Sequence, residues 1–421
     1  MNSTTAPTAM TLLRSAPSAA RTAIQLLQRL RHGVLMVHFP DGRSRRFGQP
    51  AQAPVTGQPA VPEAVLTLHN WNVCAAALKS GDIGFAETYI AGDWSTPNLT
   101  ALLTVFVANR REVEDIIHGS WAGRLWYRVK HLLNHNSKTN SRKNIHAHYD
   151  LGNAFYALWL DASMNYSSAW FEGDFSKPMQ SAQAAKVGRA LRQAGVKPGD
   201  RVLEIGCGWG ALAQAAVQDF GANVVGVTLS HEQLAFAKQR LATLPQASTQ
   251  AANADLRLQD YRDIDDAPFD AICSIEMVEA VGQAYWPGYF QTVSRLLKPG
   301  ARACIQTIVI DDALFERYVT STDFIQQYIF PGGCLPCPRE FRKQATQAGL
   351  LVVDELPFGA DYAETLRRWR AAFLAQKKAV ETLGFDQRFL RIWEFYLCYC
   401  EAAFDAGDID VVQFTLEKPR A

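Results

Sequence analysis

The stretch Arg201-Val202-Leu203-Glu204-Ile205-Gly206-Cys207-Gly208-Trp209-Gly210-Ala211 limits what this chain can become more than any other. A short apolar run ends in glycines, and Ala211-Leu212-Ala213-Gln214-Ala215-Ala216 continues as a helix. Strand, glycine loop, helix is the opening unit of a doubly wound α/β sheet. Glycine lets the backbone turn sharply and approach a ligand, and the start of the helix offers N–H groups that have no partner within it. What binds over that loop sets the function.

Gly206-x-Gly208-x-x-Ala211 satisfies the loose dinucleotide fingerprint, which is a weak signal by itself. A dinucleotide site also wants an acid at the tip of the second strand, roughly 20 residues on, to hold the ribose. That strand reads Asn223-Val224-Val225-Gly226-Val227, and its tip, Thr228-Leu229-Ser230, carries no acid. Glu204 stands just before the loop instead, where S-adenosylmethionine (SAM) enzymes of this architecture keep a carboxylate near the cofactor's cationic end. The loop reads as a SAM site, with a dinucleotide oxidoreductase as the rival.

Three more strands follow, at Arg257–Gln259, Phe269–Ile275 and Ala301–Ile310. Ligands of such sheets bind at the carboxyl ends of the strands, so Glu204, Thr228, Asp260, Glu279 and Gln306 are expected to face one crevice. Glu276 reads as a helix cap or an exposed partner. Ahead of the loop, His148–Tyr156 and Met164–Phe171 are dense in polar and aromatic residues. They suit a lid over the cofactor, or aromatic packing on the first helix.

The 421 residues hold one large domain and a smaller one. Residues 1–19 are rich in Ser, Thr, Ala and Pro and read as disordered, with a faint likeness to a transit peptide. Residues 20–115 read as a small α+β accessory domain, 116–145 as a linker, and 146–421 as the catalytic domain. The linker interleaves Arg124, Arg128, Lys130, Lys138, Arg142 and Lys143 with Trp121, Trp126 and Tyr127. That pattern suits an anionic membrane surface and equally a solvated helix. Net charge is +1, so nothing points to nucleic acid. No apolar run reaches the roughly 18 residues of a membrane span. The eight cysteines scatter through apolar segments, as reduced thiols of a cytoplasmic protein do. Cys334-x-x-Cys337 lacks a second pair, so no metal site is expected.

Taken in order, these segments resemble the cyclopropane-fatty-acyl-phospholipid synthase family of class I SAM-dependent methyltransferases. The likeness is carried by His148-Tyr149-Asp150-Leu151-Gly152-Asn153, Met164-x-Tyr166-Ser167, Glu204–Gly210 and Gly226-Val227-Thr228-Leu229-Ser230-x-Glu232-Gln233. It continues through Tyr328–Pro336 and Phe358-Gly359-Ala360-Asp361-Tyr362. Ser80–Phe85 and Gly92-Asp93-Trp94 look like the family's small N-terminal domain. The resemblance implies a Rossmann-like catalytic domain that transfers a methylene from SAM to the cis double bond of an unsaturated phospholipid acyl chain, through a carbocation. It also implies a cytoplasmic protein, peripheral at the inner membrane surface, and is compatible with a homodimer. Aromatic faces such as Tyr166, Trp170 and Tyr362 are expected to stabilise the cation by about 1–2 kcal/mol each.

By the same resemblance, SAM contacts fall on Tyr166, Ser167, Gly206, Gly208, Thr228, Leu229, Gln233, Asp260 and Tyr261, which join Glu204, already read from its place before the loop. The family's base is a bicarbonate ion, and the positions that match its holders read Ser168, Glu279, Gln306, Ile308 and Tyr362. Gln306 departs from the family's histidine, and an amide cannot take up a proton near neutral pH. Ala280 stands where a histidine commonly follows the glutamate. These departures keep a methyl- or methylene-branched product open, as formed by related fatty-acid methyltransferases. They also keep open a lipid-surface protein without catalysis. Cys400 matches a cysteine often flagged as active in the family, yet it sits in an apolar helical run and reads as a buried thiol.

Overall fold

The computed structural model describes residues 16–49, 63–110, 151–244 and 253–420. The N-terminal tail to residue 15, the linker at 116–145 and His148–Asp150 lie outside the described residues. The chain divides into two compact units.

The first unit comprises, of the described residues, 16–49, 63–110, 321–324 and 387–402. After helix α1 (Ser18–Leu27), strands β1 (Gly33–His38) and β2 (Ser44–Gln49) form a hairpin. Strand β3 (Glu63–Leu68) pairs parallel to β1, and short β4 (Trp94–Ser95) closes the order β2-β1-β3-β4. Helix α2 (Asn72–Ala91) joins two helical stretches across a kink at Gly81, whose φ is 62°. Helix α3 spans Leu99–Ala108. The sequence placed 387–402 in the catalytic domain. Here these residues group with the first unit, where Phe395 meets Phe324 with ring centroids 4.7 Å apart.

Asp82, next to the kink, accepts hydrogen bonds from the Phe324 N–H (3.0 Å) and the Tyr399 hydroxyl (3.0 Å). Burial and the nearby Asp323 carboxylate push its carboxyl up to about 7. A raised acid favours the folded state at low pH, and that advantage fades as pH climbs from the unfolded value toward 7. Asp82→Asn keeps an accepting oxygen without the buried charge. It is expected to melt higher than the parent at pH 8, by a margin that is clearly smaller at pH 5, as read by calorimetry.

The second unit is built on a seven-stranded sheet ordered β10-β11-β9-β8-β5-β6-β7. Strands β5 (Arg201–Ile205), β6 (Asn223–Thr228), β7 (Ala254–Leu258), β8 (Phe269–Ile275) and β9 (Leu297–Ile310) are parallel. Strands β10 (Leu351–Pro357) and β11 (Ile409–Glu417) join antiparallel beyond β9. Helices α4 (Met179–Gln193), α5 (Ala211–Gln218) and α6 (His231–Ala242) belong to this unit, as does α7 (Gly359–Ala375). Apolar side chains bury both faces of the central strands: Leu203, Ile205, Ile272 and Ile305 in one cluster, Val202, Val224, Ala271 and Cys273 in the other. Such runs can only be central strands of an α/β sheet. The strand order reverses between β5 and β8, and a crevice opens at that point in doubly wound sheets.

Candidate active site

The glycine loop follows β5 directly. Gly206, Gly208 and Gly210 all have positive φ, at 87°, 49° and 83°. A Cβ on Gly206 would lie 2.5 Å from Met277 Cγ, whereas one on Gly208 would meet nothing within 4 Å. Gly206 therefore packs the loop against the segment after β8, and Gly208 leaves open space beside the backbone. Glu204 is buried on β5 and takes the Ala213 N–H in the first turn of α5. Its Oε2 is buried without a partner, and burial holds the carboxyl well above its usual range. A buried carboxylate oxygen with nothing to bind fits a ligand that brings positive charge. Loop and acid together fit SAM, which supplies an electrophilic methyl on a sulfonium centre.

The other expected contacts stand at neighbouring strand ends. Thr228, ending β6, donates from its hydroxyl to Gln233 Oε1 (2.9 Å), and Ser230 caps α6 through the Gln233 N–H. Leu229 lies between them, half-buried. Asp260, after β7, is engaged by the Arg262 guanidinium at 2.8 and 2.6 Å. Tyr261 is buried edge-on to Tyr289, with its hydroxyl pushed up to about 12 by burial.

The segment before the sheet ties itself to the loop. Trp209 donates to Asn153 Oδ1 (2.7 Å), and Arg240 of α6 donates to the carbonyls of Trp209 (3.0 Å) and Ser163 (2.8 Å). Tyr156 packs 5.0 Å from Trp209, and Tyr166 joins Tyr156, Trp159 and Trp369 at 5.4–5.6 Å. Trp170 differs from expectation: the Arg189 guanidinium lies 5.9 Å over its ring, so a cation of the protein already uses that face. Ser167 is buried and accepts from Lys186 Nζ at 2.6 Å. Lys186 itself is a fully buried residue of α4 that sequence reasoning passed over.

At the ends of β8 and β9 the expected anion holders come together around a residue read as peripheral. Glu276 Oε1 accepts from the Ser168 N–H (2.8 Å) and from Gln306 Nε2 (2.8 Å), while Oε2 accepts from the Tyr362 hydroxyl (2.7 Å). The expectation of a cap or exposed partner fails because Glu276 adopts φ 51°, its N–H donating to the Gln306 carbonyl (2.7 Å). That turn aims the side chain inward. Glu279 accepts the Ile308 N–H at Oε1, and its Oε2 is buried without a partner. Burial and the Glu276 charge push the Glu279 carboxyl up to about 8. Burial also raises Glu276, but the Lys186 charge and its three donors pull it back. With a cation and three donors facing it, Glu276 is the better placed of the two to carry negative charge, and Glu279 the better placed to keep a proton. The donors at Ser168, Gln306 and Tyr362 are thus spent on a protein carboxylate and do not fit a separate bicarbonate ion.

Gln306 is completely buried, and its own orientation is fixed. Gln413 of β11 donates to Gln306 Oε1 (3.0 Å), and Arg189 donates to Gln413 Oε1 (2.8 Å). The amide at 306 therefore presents N–H to Glu276. Nothing in the local sequence around Gln413 announces this role; only the pairing of β11 with β9 does. Cys400 belongs to the first unit, and burial with the nearby Asp323 drives its thiol far up, as in an inert cysteine. Cys334 and Cys337 are buried thiols, the Cys334 N–H donating to the Glu279 carbonyl (2.8 Å).

A family model described as mycolic acid cyclopropane synthetase matches residues 136–414. Tuberculostearic acid methyltransferase UfaA1 of Mycobacterium tuberculosis is 37% identical over 412 residues, 95% of this chain and 92% of its own. Cyclopropane-fatty-acyl-phospholipid synthase of Escherichia coli K12 is 34% identical over 342 residues, 81% of this chain and 84% of its own. Among solved structures, mycolic acid cyclopropane synthase CmaA1 complexed with SAH and CTAB superposes with a TM-score of 0.61 at 34% identity, covering 66% of this chain and 98% of that one.

Proposed function

This chain belongs to the mycolic acid cyclopropane synthetase family and is a SAM-dependent methyltransferase, and from there we propose that it acts on the cis double bond of unsaturated phospholipid acyl chains, closing a cyclopropane ring. The dinucleotide rival and the non-catalytic rival fall with the family. One observation carries the reading: Met277, between Glu276 and Glu279, packs against Gly206, so the acid cluster adjoins the donor loop. A neutral alkene is a poor nucleophile, so burial, fixed geometry and a nearby base must lower the barrier.

Two further parts of the reading have narrower support. A cytoplasmic protein, peripheral at the inner membrane surface, rests on the basic and aromatic residues of 116–145 and on the acceptor itself. No helix of the described residues is long and apolar enough to cross a membrane. A homodimer is compatible with the chain.

A branched product is the second reading, favoured by the likeness to a tuberculostearic acid methyltransferase and by Gln306. Incubation with SAM and vesicles of a monounsaturated phospholipid is expected to add one CH2 to the acyl chain, with ring protons in the NMR spectrum. Olefinic methylene or branched-methyl signals without ring protons would replace the first reading by the second.

A further inference from the structure

We propose that Glu276 is this enzyme's built-in base, its carboxylate standing in the donor cage where a bicarbonate ion was expected. The proposal rests on the acceptor chemistry above and names the residue that completes it.

Four observations converge. The cage donors come from separate parts of the unit: the Ser168 N–H from the segment before α4, Gln306 Nε2 from β9 and the Tyr362 hydroxyl from α7. Three donors on two oxygens are what a held anion requires. The backbone conformation of Glu276 is costly for a residue with a Cβ, and such strain persists where the surroundings impose it. The Arg189–Gln413–Gln306 relay fixes an amide N–H toward the carboxylate, which accounts for a glutamine at 306: a donor is needed there and a proton acceptor is not. Finally, the charged and titratable groups facing Glu276 sort themselves around one negative charge. Lys186 supplies the counter-charge from α4, Glu279 is held as the acid, and Tyr362 keeps its proton to donate.

The step balances without a further reagent. The alkene's π pair forms the new C–C bond as the C–S bond breaks, leaving S-adenosylhomocysteine and a cation on the adjacent carbon. Glu276 takes one proton from the new methyl group, and the electron pair of that C–H bond closes the third side of the ring. The carboxylic acid formed returns its proton to solvent after product leaves. The same removal, with the pair placed in a C=C bond after a hydride shift, would give a methylene branch. Glu276 serves either outcome.

The test uses the full chain. With SAM and vesicles of dioleoyl phosphatidylethanolamine and phosphatidylglycerol, wild-type turnover is expected to be equal in CO2-free buffer and in millimolar bicarbonate. Glu276→Gln is expected to lose about 100-fold or more in turnover while SAM affinity by calorimetry stays within about threefold. In a lipid-free arm, 13C-bicarbonate is expected to show no saturable line broadening with wild type and clear binding to Glu276→Gly, whose turnover bicarbonate then partly restores. Saturable bicarbonate binding to wild type, bicarbonate-dependent wild-type turnover, or undiminished turnover of Glu276→Gln would overturn the proposal. A wild type that methylates no lipid counts against the acceptor reading alone, since the bicarbonate-binding arm still decides the role of Glu276.

Discussion

Gly208→Val is expected to lose about 100-fold or more in SAM affinity, roughly 3 kcal/mol, with a smaller loss of stability than Gly206→Val. Gly206→Val is expected to lose both binding and fold. The two glycines look alike in sequence, and the structure separates their reasons. At Gly206 a Cβ would sit 2.5 Å from Met277 Cγ, close to the backbone end of that side chain, and φ is 87°. A branched residue there costs about 1–2 kcal/mol in backbone strain and about 1–3 kcal/mol in overpacking. The displaced Met277 would also carry Glu276 and Glu279 with it. At Gly208 a side chain meets nothing within 4 Å, so packing does not object, and only the backbone strain of a positive φ, here 49°, is common to both sites. The side chain would instead fill the space through which a ligand reaches the backbone at the start of α5. Calorimetric titration with SAM, beside a thermal melt of each variant, checks both. Unchanged affinity in Gly208→Val would remove the loop from the donor site.

The parallel half of the sheet and its ligand-bearing ends could be read from the chain because their signals are local. β5, β6 and β8 are rich in apolar residues with few polar interruptions, and glycines mark the turn that follows β5. β10 and β11 escaped notice: Leu351–Pro357 is half-exposed along its length, and Ile409–Glu417 follows a helix and mixes Asp and Gln into its apolar run. Their pairing depends on β9, not on a pattern of their own. At the site, Glu279 and Gln306 could be placed by their position at strand ends, whereas Ile308 and Tyr362 were found only by family resemblance. Glu276 was seen but misplaced, since nothing in Ser-Ile-Glu-Met-Val-Glu says that residue 276 turns left-handed and swings its carboxylate inward. Lys186 was missed altogether. In Ala-Ala-Lys-Val-Gly it looks like any exposed basic position of an amphipathic helix, and only the carboxylates gathered around it explain its complete burial.

Lys186 gives the second large effect. Its Nζ donates to Ser167 Oγ, and the carboxylates of Glu276, Asp161 and Glu204 act on its charge. Burial pushes the ammonium down to about 8, so it is mostly charged at neutral pH and neutral above. Lys186→Met keeps a similar volume, so the packing of α4 is expected to hold, but taking one partner from a buried charge pair is expected to cost about 3–5 kcal/mol of stability, so the assay is run well below the variant's melting temperature. The chemistry is expected to suffer. Without its counter-charge the Glu276 carboxyl must rise further, since nothing offsets burial but its hydrogen bonds. A larger fraction is then protonated at pH 7 and cannot accept a proton. Each pKa unit of rise costs up to tenfold in the competent form, so turnover at pH 7 is expected to fall by about 10- to 100-fold. The acid limb of the kcat profile should move to higher pH, and activity should partly recover there. In the parent Lys186 is itself neutral above about 8, so the two profiles should converge there and part most widely near neutral pH. A merely structural lysine would lower kcat by the same factor at every pH, and parallel profiles for the two proteins would show that Lys186 does not tune Glu276.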